Sequence, residues 1–258
     1  MLFLLFVLLR SWADPLEAQQ FPPKQLSEMG LFDSIKRQEP NANLVPYTVN
    51  SPFWSDGTHK TRFMLIPNSK KINFSTHGNF EFPTGTILVK NFYLDLVLNN
   101  PSSRAIIETR LFVKSSINDS WKGYSYQWNE EGSEAFLLTE NKTTTFVVET
   151  PADPSPGFFL QDYYFPSRND CLSCHTKAAG RVLGIRASQL NRLMDNDENQ
   201  LELLEKASIF SKPLPHDLDK LPLLPNPFDP KTSLEHRARS YLATNCSQCH
   251  RPQSAGRT

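Results

Sequence analysis

Two short stretches hold every cysteine of the chain: "NDCLSCHTKAAGRVLG" from Asn169 and "ATNCSQCHRP" from Ala243. In each, the cysteines are spaced Cys-x-x-Cys and a histidine follows directly. With six histidines in 258 residues, a histidine behind both pairs arises by chance about once in two thousand sequences. A Cys-x-x-Cys pair can be a redox disulfide, half of a zinc site or a c-type haem anchor, and only the anchor uses the adjacent histidine in both copies.

In a c-type site the two thiols add to the haem vinyl groups as thioethers, and the following histidine ligates the iron. Two intervening residues set both sulfurs on one turn at the separation of the vinyls, and the next side chain then points at the ring centre. The spacing therefore predicts two covalently attached haems c, one on Cys171, Cys174 and His175 and one on Cys246, Cys249 and His250. A four-cysteine zinc site is the poorer match. Its knuckles lie about 15–20 residues apart, whereas 75 residues separate Cys171 from Cys246.

An iron held by one histidine needs a second axial ligand if it is to pass electrons without binding small molecules. Met194 and His216 both follow the first motif and are the candidates. Met194 shares a predicted helix face with Leu190 and Leu193, where core packing is the competing use. His216 falls in a proline-rich run able to bend over a haem edge. His59 and His77 sit in turn-like stretches, and His236 in the first turn of a predicted helix, positions where solvent-facing histidines are common.

The elements that must position these residues change character along the chain. From about Asn43 to Tyr164, "KTRFMLI", "GTILVKNFYLDLVL", "AIIETRLFVK", "WKGYSYQW", "EAFLL" and "TTTFVVE" are rich in β-branched and aromatic residues, with turns at "SDGT", "NNPSS" and "EEGS". They predict an antiparallel β-sandwich or barrel-like sheet. Trp54, Trp121 and Trp128, with Tyr124 and Tyr126, could line a sugar-binding face, but aromatics alternating along strands more often fill a core. Beyond a boundary loop at Pro151 to Gly157, "ASQLNRLM" and "NQLELLEKASIF" space their leucines as helices do. "SKPLPHDLDKLPLLPNPFDP" holds six prolines in twenty residues and must run extended over a surface. Thr232-Ser233-Leu234-Glu235 has a capping-box pattern opening a helix into the second motif. No comparable helix precedes the first, so its haem is expected against the β domain.

The fold class is thus α+β, with a β-sandwich-like domain over residues 21–165, a first haem-binding segment with a proline-rich linker over 166–230, and the start of a second cytochrome c domain over 231–258. Only Arg251 to Thr258 follow the second motif, so a longer chain or another subunit is expected to complete that site. The opening "MLFLLFVLLRSWAD" is too short to span a bilayer and reads as a secretory signal within residues 1–20, with small residues around a cleavage point after Ala13. Export to the periplasm suits c-type haem attachment, and no other stretch is apolar enough to cross a membrane. Equal numbers of acidic and basic residues, 27 of each, leave no basic stripe for nucleic acid. Asn73, Asn118, Asn141 and Asn245 each begin an Asn-x-Ser/Thr sequence, a pattern frequent by chance.

"LVPYTVNSPFWSDGTHKTRFMLIP", "CLSCHTKAAGRVLGIRASQLNR" and "SLEHRARSYLATNCSQCHRP" resemble a bacterial family of exported di-haem c-type cytochromes whose β-rich N-terminal part precedes two Cys-x-x-Cys-His motifs. The resemblance implies an electron-accepting role beside a periplasmic dehydrogenase of sugar-oxidising type, and a redox protein as partner. The runner-up function is a di-haem peroxidase-like enzyme in which one iron keeps an open position for peroxide.

Overall fold

The computed structural model describes residues 21–151 and 156–252; the leader expected over residues 1–20 lies outside them, as do 152–155 of the expected boundary loop and the last six residues. Mixed helices and antiparallel sheets give an α+β fold. Its centre is a six-stranded antiparallel sheet of β3 (Val45–Pro46), β4 (His59–Leu65), β5 (Ile87–Asp95), β6 (Arg104–Lys114), β7 (Trp121–Trp128) and β8 (Ala135–Leu137), in sequential order. The strands coincide with the β-branched and aromatic runs, because residues two apart share a face.

One face carries Phe63 and Leu65 of β4, Ile87 and Val89 of β5, Leu111 and Val113 of β6, and Tyr124, Tyr126 and Trp128 of β7. It packs under the N-terminal segment, including Leu26, Leu31 and the small hairpin β1 (Phe32–Ser34) with β2 (Glu39–Pro40). Three of the five aromatics weighed for sugar binding are thereby core, and Trp121 stacks on Phe112. Trp54 is 58% exposed.

The opposite face is covered in two pieces. Near one end, Met64, Leu88, Phe112 and Trp121 join a cluster with Ile185, Leu190, Leu201 and Leu204 of the region beyond the first motif. Near the other, Phe92 and Leu94 pack against Val148, Tyr163 and Phe165 of a separate hairpin, β9 (Lys142–Thr150) with β10 (Gly157–Phe165). The cover is thus a hairpin and helices instead of the second full sheet that a sandwich requires.

Among the described residues four α-helices follow: α1 (Arg168–Cys174), α2 (Ala187–Leu190), α3 (Gln200–Lys206) and α4 (Leu234–Asn245). The predicted helix through Met194 stops after one turn. Asn191 turns extended, its backbone carbonyl accepting from the Asn50 side chain and its side-chain Nδ2 donating to the Leu218 carbonyl, so tertiary polar contacts take over from helical ones. The proline-rich run crosses the surface as its composition requires, burying Leu214 and Leu221. In α4 the cap is Ser233, which accepts from the His236 amide, one residue later than the Thr232 cap predicted.

Candidate functional site

The first motif lies within α1, a helix for which the sequence offers no apolar periodicity. Its start is fixed by a capping box: the Ser167 hydroxyl accepts from the Asp170 amide, and the Asp170 carboxylate accepts from the Ser167 amide at 2.8 Å. That carboxylate also accepts from the Tyr164 hydroxyl at 2.8 Å, which ties the helix to the end of β10. These bonds, those from Ser167 first, hold the Asp170 carboxyl below its usual range. The Ser125 hydroxyl of β7 donates to the Pro166 carbonyl and docks the turn on the sheet.

Cys171 then sits directly on β7, where a Cβ at Gly123 would lie 2.8 Å from its Sγ. A glycine is needed there for the helix to approach the strand. Burial pushes the Cys171 thiol up, against the pull of Arg110.

His175 caps the helix, its amide bonding the Cys171 carbonyl. Its ring lies 4.3 Å from the Phe112 ring, and Phe112 stacks in turn on Trp121 at 4.9 Å. The Nδ1 atom is 2.6 Å from the Arg181 carbonyl oxygen. A carbonyl can only accept, so Nδ1 carries the hydrogen and Nε2 presents its lone pair, the tautomer that an iron ligand requires. Burial, with Lys90 adding to it, holds the imidazole down to about 4, and the ring is neutral at ordinary pH.

The second motif follows α4. Cys246 caps that helix and its carbonyl accepts from the His250 amide at 2.9 Å. The segment is secured to the sheet side through the loop before β4: Trp54 donates its amide to the Asn245 side chain at 2.8 Å, and Ser51 and Gln189 bond to Ser240 and Thr244. The Asn245 side chain is thereby occupied. His250 is exposed.

The structure brings the two motifs together. Cys249 Sγ reaches the Ser173 carbonyl at 3.9 Å, and Arg251 donates to the Ala178 carbonyl at 3.1 Å. Burial and the Cys174 sulfur beside it push the Cys249 thiol up. Among the described residues no group of three or more His, Cys, Asp and Glu side chains is gathered to hold a metal ion. The residues that could hold a c-type haem are those of each motif; at the first, the paired thiols and the oriented Nε2 fit the group.

The candidate distal ligands stand apart from this pairing. Met194 is half-buried, and its sulfur accepts from the Thr48 hydroxyl at 3.8 Å. His216 is exposed in the proline-rich run. His59 opens β4 and pairs with Asp95 at 3.1 Å, while His236 is exposed on α4.

A further set of side chains was not singled out from the sequence. The register aligns Arg62 of β4, Lys90 of β5 and Arg110 of β6 as direct partners across three strands, next to Ser125 of β7. All point to the face that carries α1. The next row on that face is Met64, Leu88, Phe112 and Gly123, which bears His175 and Cys171. Arg110 is matched: it forms a two-pronged pair with the fully buried Glu108 at 2.8 and 2.9 Å and lies 4.3 Å over the Phe92 ring. The Tyr163 hydroxyl donates to Glu108 at 2.6 Å, and burial beside that carboxylate pushes Tyr163 up. Burial, and then Arg62 and Arg110, push Lys90 down to about 7; burial, and then Arg62, bring Lys60 to about 8. The sequence signal was present at Lys90, a charge within "ILVKNF" whose same-face neighbours Leu88 and Phe92 are apolar.

No family model matches the chain, and neither a curated protein nor a solved structure matches it.

Proposed function

We propose that the protein is an exported di-haem c-type cytochrome that takes single electrons from a periplasmic dehydrogenase and passes them to a downstream acceptor. The observation that carries this reading is the folding of two Cys-x-x-Cys-His segments, 75 residues apart, into contact, with Cys249 Sγ at the Ser173 carbonyl and Arg251 on the Ala178 carbonyl. Paired motifs suit two redox groups placed edge to edge. When bound, each haem supplies an iron that cycles between two oxidation states.

The chain's own residues supply the rest. Cys171, Cys174, Cys246 and Cys249 provide the thioether sulfurs, and His175 and His250 the axial nitrogens. Arg181 fixes the His175 tautomer through its carbonyl and raises the basicity of Nε2. Phe112 and Trp121 hold the ring from one side and exclude water there. The exposure of His250 favours one competing reading, a peroxidase-like site at the second motif, where an open iron position would meet solvent.

Protein produced in a host with c-type attachment machinery should show two haems per chain in a pyridine-haemochrome assay. Zinc and no haem would overturn the proposal. Reduction by a candidate dehydrogenase and its substrate, followed at the haem absorption band, tests the direction of transfer; a spectral response to peroxide alone selects the competing reading.

A further inference from the structure

Arg62 and Lys90 differ from Arg110 in one respect that matters. Among the described residues neither side chain has a hydrogen bond or an ion pair, although both are half-buried and stand directly opposite one another across β4 and β5. Like charges in that relation repel. Lys60 shares their face one step along β4, and Arg192 adds a fifth cation near Arg62, with its Nε buried and unpartnered. Against these stand Asp56, which acts on Lys60, and Glu108, already committed to Arg110 and Tyr163. Cations held out of water without partners are costly, and an anion on this face would offset that cost.

The position of the row limits what that anion can be. Same-face rows of a strand are about 7 Å apart, and the neighbouring row is the one on which Cys171 and His175 rest. Lys90 and Arg110 act electrostatically on both of those side chains. The row also lies between the apolar cluster around Phe112 and the one around Phe92, so it is a polar gap in an otherwise greasy face.

We propose that Arg62 and Lys90 are the receptor for the two propionate carboxylates of the haem held by Cys171, Cys174 and His175, and that this pairing sets the potential of that haem above the potential of the second. The inference rests on the di-haem reading above. Lys and Arg are the natural partners of two carboxylates on one edge of a planar group, Arg through its planar fork and Lys as a point charge. Positive charge beside the haem favours the reduced form, which carries one charge fewer.

The test uses the matured full chain with the second motif disabled (Cys246→Ala with Cys249→Ala), so that one haem remains, and compares Lys90→Met, Arg62→Met and the charge-keeping Lys90→Arg. Each charge-removing variant should shift the ratio of oxidised to reduced haem at a fixed potential by threefold or more toward oxidised, where a tenfold shift is about 59 mV for one electron; Lys90→Arg should stay near the parent. Haem bound at Cys171 and Cys174 with an unchanged potential in both Met variants overturns the receptor and leaves the cytochrome standing. No haem at these cysteines in the unmutated chain overturns the cytochrome itself. Where a variant fails to accumulate, the propionate deformation band in the resonance Raman spectrum of the parent decides: a band at the position of free, water-exposed propionates overturns the receptor.

Discussion

The two Cys-x-x-Cys-His motifs have the same chemistry and opposite surroundings. The first is carried by a seven-residue helix laid on the sheet, with a thiol against Gly123 and an imidazole held between Phe112 and the Arg181 carbonyl. The second hangs from the end of a twelve-residue helix, and its imidazole faces solvent. Burial and ligand orientation are the means by which a protein tunes an otherwise fixed redox group. Under the di-haem proposal the difference predicts two unequal sites, with the sheet-bound one the stronger electron acceptor.

The largest effects come from removing one site at a time. Cys171→Ala with Cys174→Ala, and Cys246→Ala with Cys249→Ala, should each lower the haem count from two to one, and redox titration should find the higher potential in the chain that keeps the first motif. Equal potentials would break the comparison. Next comes Arg110→Met, which strands the fully buried Glu108 and should cost about 3–5 kcal/mol in chemical denaturation; the loss should be accompanied by disorder at the first motif, seen as a weakened first-haem spectrum, with the second unaffected.

Smaller changes sharpen the contrast. Gly123→Ala places a methyl group against Cys171 and should destabilise by about 1–3 kcal/mol, with reduced haem occupancy at the first motif alone by mass spectrometry of the haem peptides. Ser167→Ala removes the cap of α1 and should cost about 1 kcal/mol, whereas the second motif gives no response. The last effect is a pH slope. Lys90 keeps its proton to about 7 in the folded chain and to about 10.5 when unfolded, so the unfolded state binds more protons between those values and stability rises with pH across that window. In haem-free protein the gain between pH 7 and 8 should be under about 1 kcal/mol; below pH 7 the penalty is present in full. Matured protein, with a carboxylate on Lys90, should lose the slope.

Much of this was legible in the residues. The strands were, because period-two alternation is local and survives in "KTRFMLI" and "WKGYSYQW". α4 was legible to within a residue of its cap. α1 was missed because it has no apolar stripe, although Ser167 three residues before Asp170 is the sequence mark of a capping box. The helix through Met194 was overpredicted, since Asn50 and Leu218 compete for Asn191 from distant segments and no local pattern announces them. The contact of Cys171 with Gly123 depends on register between elements far apart in the chain, as does the approach of Cys174 to Cys249. The Arg62–Lys90–Arg110 row lay between these extremes: alternation gives the face, and only strand pairing gives the alignment.

The seat of Cys171 on Gly123 also bears on when a haem could be attached. Once α1 has docked, that sulfur is wedged against a strand backbone with no space for an attaching enzyme and its cargo on that side. The six strands of the sheet all precede Asn169 in the chain. If the first motif carries haem as proposed, attachment at Cys171 should occur before α1 docks, and a chain that closes first should remain empty there. At the second motif His250 is exposed and no cysteine is wedged on a strand, so under the same proposal slow attachment should yield molecules carrying one haem, held by Cys246 and Cys249.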